Sequence, residues 1–180
     1  MRLELLLGDI TEIEVDCIVN AARPSLLGGG GVDGTIHKKA GSLLFEFCKS
    51  LGGCKIGEAK LSPGFNLKAK NIIHTVGPRY LFKTQKEKDD LISCYYQSLL
   101  IAREQNFNVL VFPNISTGAY GYPKDLASSL AFKTTLNFLT ENEYPKKVIF
   151  CCYDIENFEL YFELFKFEVK NETTTHLFSN

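Results

Sequence analysis

A chain of 180 residues with 45% apolar and 23% charged side chains has the composition of one folded soluble domain with a sizeable core. Its formal charge of −1 supplies no field to gather nucleic acid or an anionic membrane, and no apolar run approaches the length of a membrane span. Six cysteines without a Cys-x-x-Cys pair argue against a zinc ribbon or redox site; with no signal-peptide layout at Met1-Arg2-Leu3-Glu4, they are expected as buried thiols in a reducing, cytoplasmic setting.

In chain order, Arg2–Leu7 (RLELLL) reads as a strand stopped by Gly8-Asp9, and Asp16–Ala21 (DCIVNA) as a second strand that carries Asn20 near its end. A short loop with Arg23-Pro24 leads to four consecutive glycines, Gly28 to Gly31, which neither helix nor strand favours. Ile36, Ala40, Leu43, Leu44 and Phe47 then recur at spacings of three and four, predicting a helix from about Asp33 to Ser50. Glu58–Ser62 and Asn71–Val76 read as strands separated by Pro63-Gly64, the second closed by Gly77-Pro78. Lys83–Asp90 (KTQKEKDD) is expected as the solvated start of a helix whose buried face is Leu91, Tyr95, Leu99 and Ala102. Val109–Phe112 (VLVF) has the unbroken apolar character of a strand covered on both faces, and it runs into the loop Pro113–Pro123. A helix with Leu126, Ala127, Leu130, Ala131 and Phe138 follows, then a last strand at Lys147–Tyr153 and a last helix from Glu156 to about Phe167. Residues 169–180 read as a polar, frayed tail, so a single domain is expected over 1–168.

Strands alternating with helices predict a three-layer α/β/α sandwich with a mixed, mostly parallel central sheet. In such sheets ligands sit outside the carboxyl ends of the strands. That rule gathers Asp9, Asn20, the 28–34 loop, the 115–121 loop and Tyr153-Asp154 at one edge. Bare backbone amides that feed a helix N-terminus suit an anion, and two glycine loops facing one crevice suit a diphosphate. Asp33 is the odd residue beside an anion. It either caps the helix it precedes or orients a water or a sugar hydroxyl. His37, four residues on, shares its helix face and is either a half-buried polar residue or part of the site.

Other readings of the same residues fall away. Gly29–Gly34 formally fits G-x-G-x-x-G, yet it does not directly follow a strand and no acidic residue completes a dinucleotide fingerprint. There is no G-x-x-x-x-G-K-[ST], and Ser116 sits in no nucleophile elbow. The three histidines, His37, His74 and His176, stand far apart in sequence, with His74 inside an apolar strand, so no metal site is expected.

Gly8-Asp9-Ile10-Thr11, Val19-Asn20-Ala21-Ala22, LLGGGGVDGTIHKKAG, His74-Thr75-Val76-Gly77-Pro78 and Ile115-Ser116-Thr117-Gly118-Ala119-Tyr120-Gly121-Tyr122-Pro123 occur in the order and spacing seen in macro domains. The chain resembles the MacroD-type branch from residue 2 to about 165. This resemblance implies a pocket for ADP-ribose, as ligand or product, and no cofactor. Asp9, with the Ile10 amide beside it, would accept a hydrogen bond from the adenine amino group, and Tyr153 and Asp154 would wall the adenine. Gly28, Gly29, Gly30, Gly31 and Val32 on one side, and Ser116, Thr117, Gly118, Ala119 and Tyr120 on the other, would wrap the diphosphate, with Tyr120 against the distal ribose. Asp33 and Asn20 would be catalytic, Asn20 also touching ligand, with Arg23 and His37 in support. The implied activity is removal of mono-ADP-ribose from Asp and Glu side chains of proteins and deacetylation of O-acetyl-ADP-ribose; the alternative is a reader that binds ADP-ribose without turnover. A monomer is expected, with no membrane or nucleic-acid partner.

One departure stands out. Where the family usually reads Asn-Ala-Ala-Asn, this chain has Asn20-Ala21-Ala22-Arg23. Arginine is longer, permanently charged and donor-only. It either turns outward beside Pro24, leaving the pocket short of one contact, or pairs with Asp33 or a phosphate.

Overall fold

The computed structural model describes the backbone of residues 2–178 and the side chains of residues 2–169. Its strands are β1 (Leu3–Leu7), β2 (Cys17–Ala21), β3 (Ala59–Pro63), β4 (Asn71–Thr75), β5 (Val109–Phe112) and β6 (Lys147–Cys152). They form one sheet in the spatial order β1-β6-β5-β2-β4-β3. Only β3 runs antiparallel, at the edge beside β4, so the sheet is mixed and mostly parallel as expected. Pro63, with no N–H to give, ends that edge strand.

The helices are α1 (Gly31–Ala40), α2 (Ser42–Ser50), α3 (Gln85–Glu104), α4 (Lys124–Glu141) and α5 (Ile155–Phe178). Alternation along the strands sorts side chains into two cores. Cys17 and Val19 of β2, Ile73 of β4 and Phe112 of β5 join the larger core under α3, α4 and α5. There Phe150 stacks on the fully buried Tyr161 with ring centroids 4.5 Å apart. Ile18, Ile72 and Val111 face the other way, against Ile36, Ala40, Leu44 and Cys48 of α1 and α2. All six cysteines are buried free thiols.

Three local expectations are revised. The helix read from Asp33 to Ser50 is two helices, because Gly41 sits at φ 88; its N–H closes α1 on the His37 carbonyl and its own residue caps α2. The stretch Lys83–Asp90 is not simply a solvated start. Thr84 and Glu87 form a reciprocal capping box, and the buried Glu87 carboxylate accepts the backbone N–H groups of Leu81, Phe82 and Thr84 at 2.9, 2.9 and 2.8 Å. Helix α5 continues to Phe178, past the end read near Phe167 and into the stretch read as a tail, whose side chains from residue 170 onward lie outside the described residues.

Candidate functional site

An open cleft of about 1120 Å³ lies outside the carboxyl ends of β1, β2, β5 and β6. Asp9, Ile10, Arg23, Gly29, Gly30, Gly31, Val32, Asp33, the whole run Ser116 to Tyr120, Tyr153 and Asp154 line it. Asn20, His37 and Gly28 stand behind that wall. Gly28, at φ 77, lies against the His37 ring, where a β-carbon would stand 3.2 Å from the imidazole.

At one end, Asp9 begins a single 3-10 turn (Ile10–Glu12) that the sequence reading passed over. Its Oδ1 accepts the Thr11 amide at 2.9 Å and the Thr11 hydroxyl, and its Oδ2 pairs with Lys39 at 3.0 Å. Burial works against ionisation, but the Thr11 bonds and Lys39 outweigh it and hold the carboxyl below its usual range. Ile10 is buried beneath, whereas Tyr153 is 84% exposed and presents an aromatic face at the rim. Asp154 also caps α5: it accepts the Asn157 amide at 3.0 Å and the Asn157 side chain at 2.8 Å, and pairs with Lys124 at 3.2 Å.

The two loops meet between the ends. Gly30 precedes the first residue of the ten-residue helix α1 with extended backbone, and a β-carbon at Gly30, Gly31 or Gly118 would meet no atom within 4 Å. Main chain thus stands open in the cleft at these positions and at Gly8, with Gly30 and Gly31 at a helix N-terminus. In the second loop Ser116 adopts φ 66, and the Tyr122 amide returns to its carbonyl at 2.9 Å. The segment that follows β4 passes directly beneath. A β-carbon on Gly77 would lie 2.7 Å from Ile115 Cγ2 and closer still to Ser116 Oγ. Thr117 and Ala119 complete the turn, and the ring of Tyr120 carries the Arg79 guanidinium 5.2 Å from its centroid.

Asp33 occupies the first turn of α1 but makes no cap; the N-cap is Gly30, without a side-chain bond. The side chain is buried instead. Oδ1 accepts from Asn20 Nδ2 at 2.8 Å, while Oδ2 has no hydrogen-bond partner among the described residues. Burial pushes the Asp33 carboxyl up, against the opposing pull of the Asn20 bond and the charges of His37 and Arg23. His37 Nε2 is 3.6 Å from Oδ1, too far for a hydrogen bond, and burial pushes the ring towards its neutral form. Arg23 does not turn away. A β-carbon on Gly29 would lie 3.0 Å from Arg23 Nε, from Arg23 Nη2 and from Asp33 Oδ2, so guanidinium and carboxylate face each other across the bare glycine without an ion pair. Buried polar atoms lacking a partner concentrate here: Asn20 Oδ1, Asp33 Oδ2, His37 Nε2 and Ser116 Oγ.

Distance in sequence proved a poor guide to the histidines. His37 and His74 come within 6.3 Å, ring centre to ring centre, and with Cys48 they bring possible ligand atoms within 4.8 Å of one another. Both His74 nitrogens are engaged, Nδ1 with Asn20 at 3.1 Å and Nε2 with Ser62 at 2.8 Å, and the Cys48 thiol is pushed up to about 11 by burial. Hydrogen bonding accounts for His74 without a metal. Sequence reasoning missed Arg79, Asn114, Thr35 and Asn157 in the lining, and Ser62 behind it. Asn114 had a usable signal, since it follows the apolar strand β5 at its carboxyl end.

Strand order and the paired loops define the class: this is a macrodomain. The Macro domain family model matches residues 19–131, and the chain belongs to that family. It is 49% identical over 156 residues to an ADP-ribose glycohydrolase MACROD2 from Xenopus laevis, covering 86% of this chain and 37% of that protein. It is 46% identical to an O-acetyl-ADP-ribose deacetylase from Cronobacter sakazakii, covering 89% and 91% respectively. Among solved structures it is similar to an Oceanobacillus iheyensis macrodomain variant with ADPR, at TM-score 0.89 and 36% identity, covering 93% of this chain and 94% of that one.

Proposed function

We propose that this protein hydrolyses ADP-ribosyl esters, removing mono-ADP-ribose from Asp and Glu side chains of proteins and the acetyl group from O-acetyl-ADP-ribose. The observation that carries this reading is Asp33: a buried carboxylate at the cleft wall, with a raised pKa, one oxygen held by Asn20 and the other unpartnered. The relatives named as an ADP-ribose glycohydrolase and an O-acetyl-ADP-ribose deacetylase support it.

In this reading the adenine lies towards Asp9 and Tyr153, the diphosphate between the two loops, and the distal ribose towards Asp33 and Tyr120. The Asp33 carboxylate takes a proton from a water as the water oxygen bonds to the ester carbonyl carbon. The carbonyl–O bond to the ribose then breaks, the ribose oxygen leaves with a proton, and ADP-ribose and a carboxylic acid are released. General-base help of this kind contributes about 10²- to 10⁴-fold. Arg23, facing Asp33 across Gly29, keeps a positive charge beside the developing oxyanion. No cofactor or metal enters the reaction, and the protein acts as a cytoplasmic monomer.

Arg23 also favours a second reading, a reader that binds ADP-ribosylated proteins and leaves them intact, since its guanidinium occupies the approach to Asp33 over Gly29. A time course on a glutamate-mono-ADP-ribosylated protein separates the two. Release by wild type, absent in buffer and with Asp33→Ala, is the expected result. Retained ADP-ribose binding without release establishes the reader.

A further inference from the structure

Asn20 and His74 are direct partners across the parallel strands β2 and β4, and Ser62 sits on the adjoining edge strand β3. Side chains from three neighbouring strands thereby form one line that ends at Asp33. Asn20 Nδ2 donates to Asp33 Oδ1 at 2.8 Å and lies 3.1 Å from His74 Nδ1. His74 Nε2 lies 2.8 Å from Ser62 Oγ, and the Ser62 hydroxyl donates to the Pro63 carbonyl at 3.1 Å. Donation to Pro63 leaves Ser62 to meet the ring as an acceptor, and the Cys48 sulfur lies 3.7 Å from the same Nε2. Nε2 then carries the ring hydrogen, and Nδ1 is a bare acceptor. Asn20 has to turn its NH₂ towards Nδ1, and the same NH₂ spends its second hydrogen on Asp33.

We propose that His74 is a positioning residue for the ester hydrolysis: its Nδ1, with the tautomer fixed by Ser62, locks the Asn20 amide so that Nδ2 holds Asp33 and Oδ1 stays free as an acceptor. The proposal rests on the hydrolase reading above. With the amide reversed, Asn20 Oδ1 would face the carboxylate oxygen and one of the two contacts would become repulsive. Asn20 is the one side chain among the described residues that hydrogen-bonds Asp33. Arg23 from the loop after β2 acts on it through its charge and its backbone N–H, His37 on α1 stands 3.6 Å away, beyond hydrogen-bond distance, and Cys48 on α2 bears on it only through its thiol, which burial keeps protonated. A line built only for packing would satisfy itself. This one places a histidine and an asparagine on a face otherwise occupied by Ile18, Ile72 and Val76, and still leaves Asn20 Oδ1 and Asp33 Oδ2 without partners. Burial also pushes the His74 ring down to about 3, so the lock does not titrate near neutral pH.

Two substitutions that remove the same ring separate positioning from packing. In His74→Asn an amide oxygen can stand where Nδ1 stood, which keeps the acceptor for Asn20 and gives up Ser62. In His74→Gln the amide reaches the Nε2 position, which keeps Ser62 and abandons Asn20. On a glutamate-linked mono-ADP-ribosyl peptide, His74→Gln is expected to lose about 10²-fold in kcat with ADP-ribose Kd little changed, and its acid limb moves to higher pH as Asp33 loses its donor. His74→Asn is expected to stay within about tenfold of wild type. Equal losses in the two variants, or none in either, overturn the proposal while leaving the hydrolase reading intact. If either variant fails to fold, nitrogen-15 spectra of the wild-type histidine side chains decide: Nδ1 unprotonated and Nε2 protonated is expected for His74, and the opposite tautomer overturns the lock. Absence of wild-type turnover, by contrast, removes the hydrolase reading, and the catalytic role of His74 goes with it.

Discussion

Gly77 and Gly118 stand on two sides of one loop, and replacing each with alanine should give opposite signatures. A methyl on Gly77 would press into Ile115 and Ser116 at separations that real side chains do not show, so the loop has to move. Overpacking of this kind costs about 1–3 kcal/mol, which for a domain of this size lowers Tm by roughly 2–12 °C. A methyl on Gly118 meets nothing within 4 Å, so folding should be untouched. If the loop lies against a diphosphate, however, that methyl stands where amide and phosphate must meet. Losing one hydrogen bond to a charged acceptor costs about 1.5–3 kcal/mol, or roughly 10- to 100-fold in Kd. Thermal unfolding and calorimetric titration with ADP-ribose read both effects. Wild-type affinity in Gly118→Ala, with Tm unchanged, would show that the loop does not face the ligand and would overturn the placement of the diphosphate.

Further outcomes follow from the charges. With Asp33 as the proposed base and its pKa raised by burial, kcat should rise with pH along a limb lying above the usual carboxylate range; a rate flat down to about pH 4 would contradict that. The same shift acts on stability with a definite sign. Asp33 ionises more readily in the unfolded chain, so stability falls as pH climbs from the unfolded to the folded pKa, and Asp33→Asn should gain more relative to wild type near pH 7.5 than near about pH 4, by thermal unfolding at both. Asp9→Ala should weaken ADP-ribose binding about 10- to 100-fold through loss of one charged acceptor, and calorimetry showing unchanged affinity would move the adenine elsewhere. Arg2 donates to the carbonyls of Leu139, Asn142, Glu143, Pro145 and Lys146 at the end of the sheet away from the cleft. Arg2→Met should therefore lower stability by about 2–3 kcal/mol in denaturant titration and leave ADP-ribose affinity alone.

The strands were readable because their signals are local and strong: VLVF is β5 residue for residue, and β2, β4 and β6 start or end within a residue or two of their apolar runs. The strand-end rule then brought Asp9, Asp33 and both loops to one crevice without any knowledge of strand order. What stayed hidden depends on geometry that spacing does not encode. A single glycine at positive φ splits α1 from α2, though the apolar period runs through it. Glu87 looked like one charge in a charged run, and only the turn of Leu81 and Phe82 makes it an internal cap. Asp33 by local rules resembled a cap, and its real partner, Asn20, is a strand residue thirteen positions earlier. His74 and Ser62 belong to the same category: their meeting requires β3 and β4 to pair in one register.

The cleft holds two carboxylates whose surroundings drive them in opposite directions. Asp9 is tied by a hydroxyl, an amide and a lysine, so it stays ionised and acts only as an acceptor. Asp33 is buried, which raises its proton affinity against the weaker pull of the Asn20 amide, the Arg23 backbone N–H and the charges of His37 and of an arginine that stops short of pairing. A group meant only to recognise a donor gains from being held far below neutral pH. A group meant to take a proton gains from the reverse, because a carboxylate stabilised by several donors is a weak base. In the proposed function, the arrangement of donors, not the residue type, thus gives recognition to Asp9 and chemistry to Asp33. Arg23 fits the same logic. Had it closed to a salt bridge it would have lowered the Asp33 pKa further and made the proposed base a poorer one, whereas across Gly29 it only places a positive charge near that carboxylate.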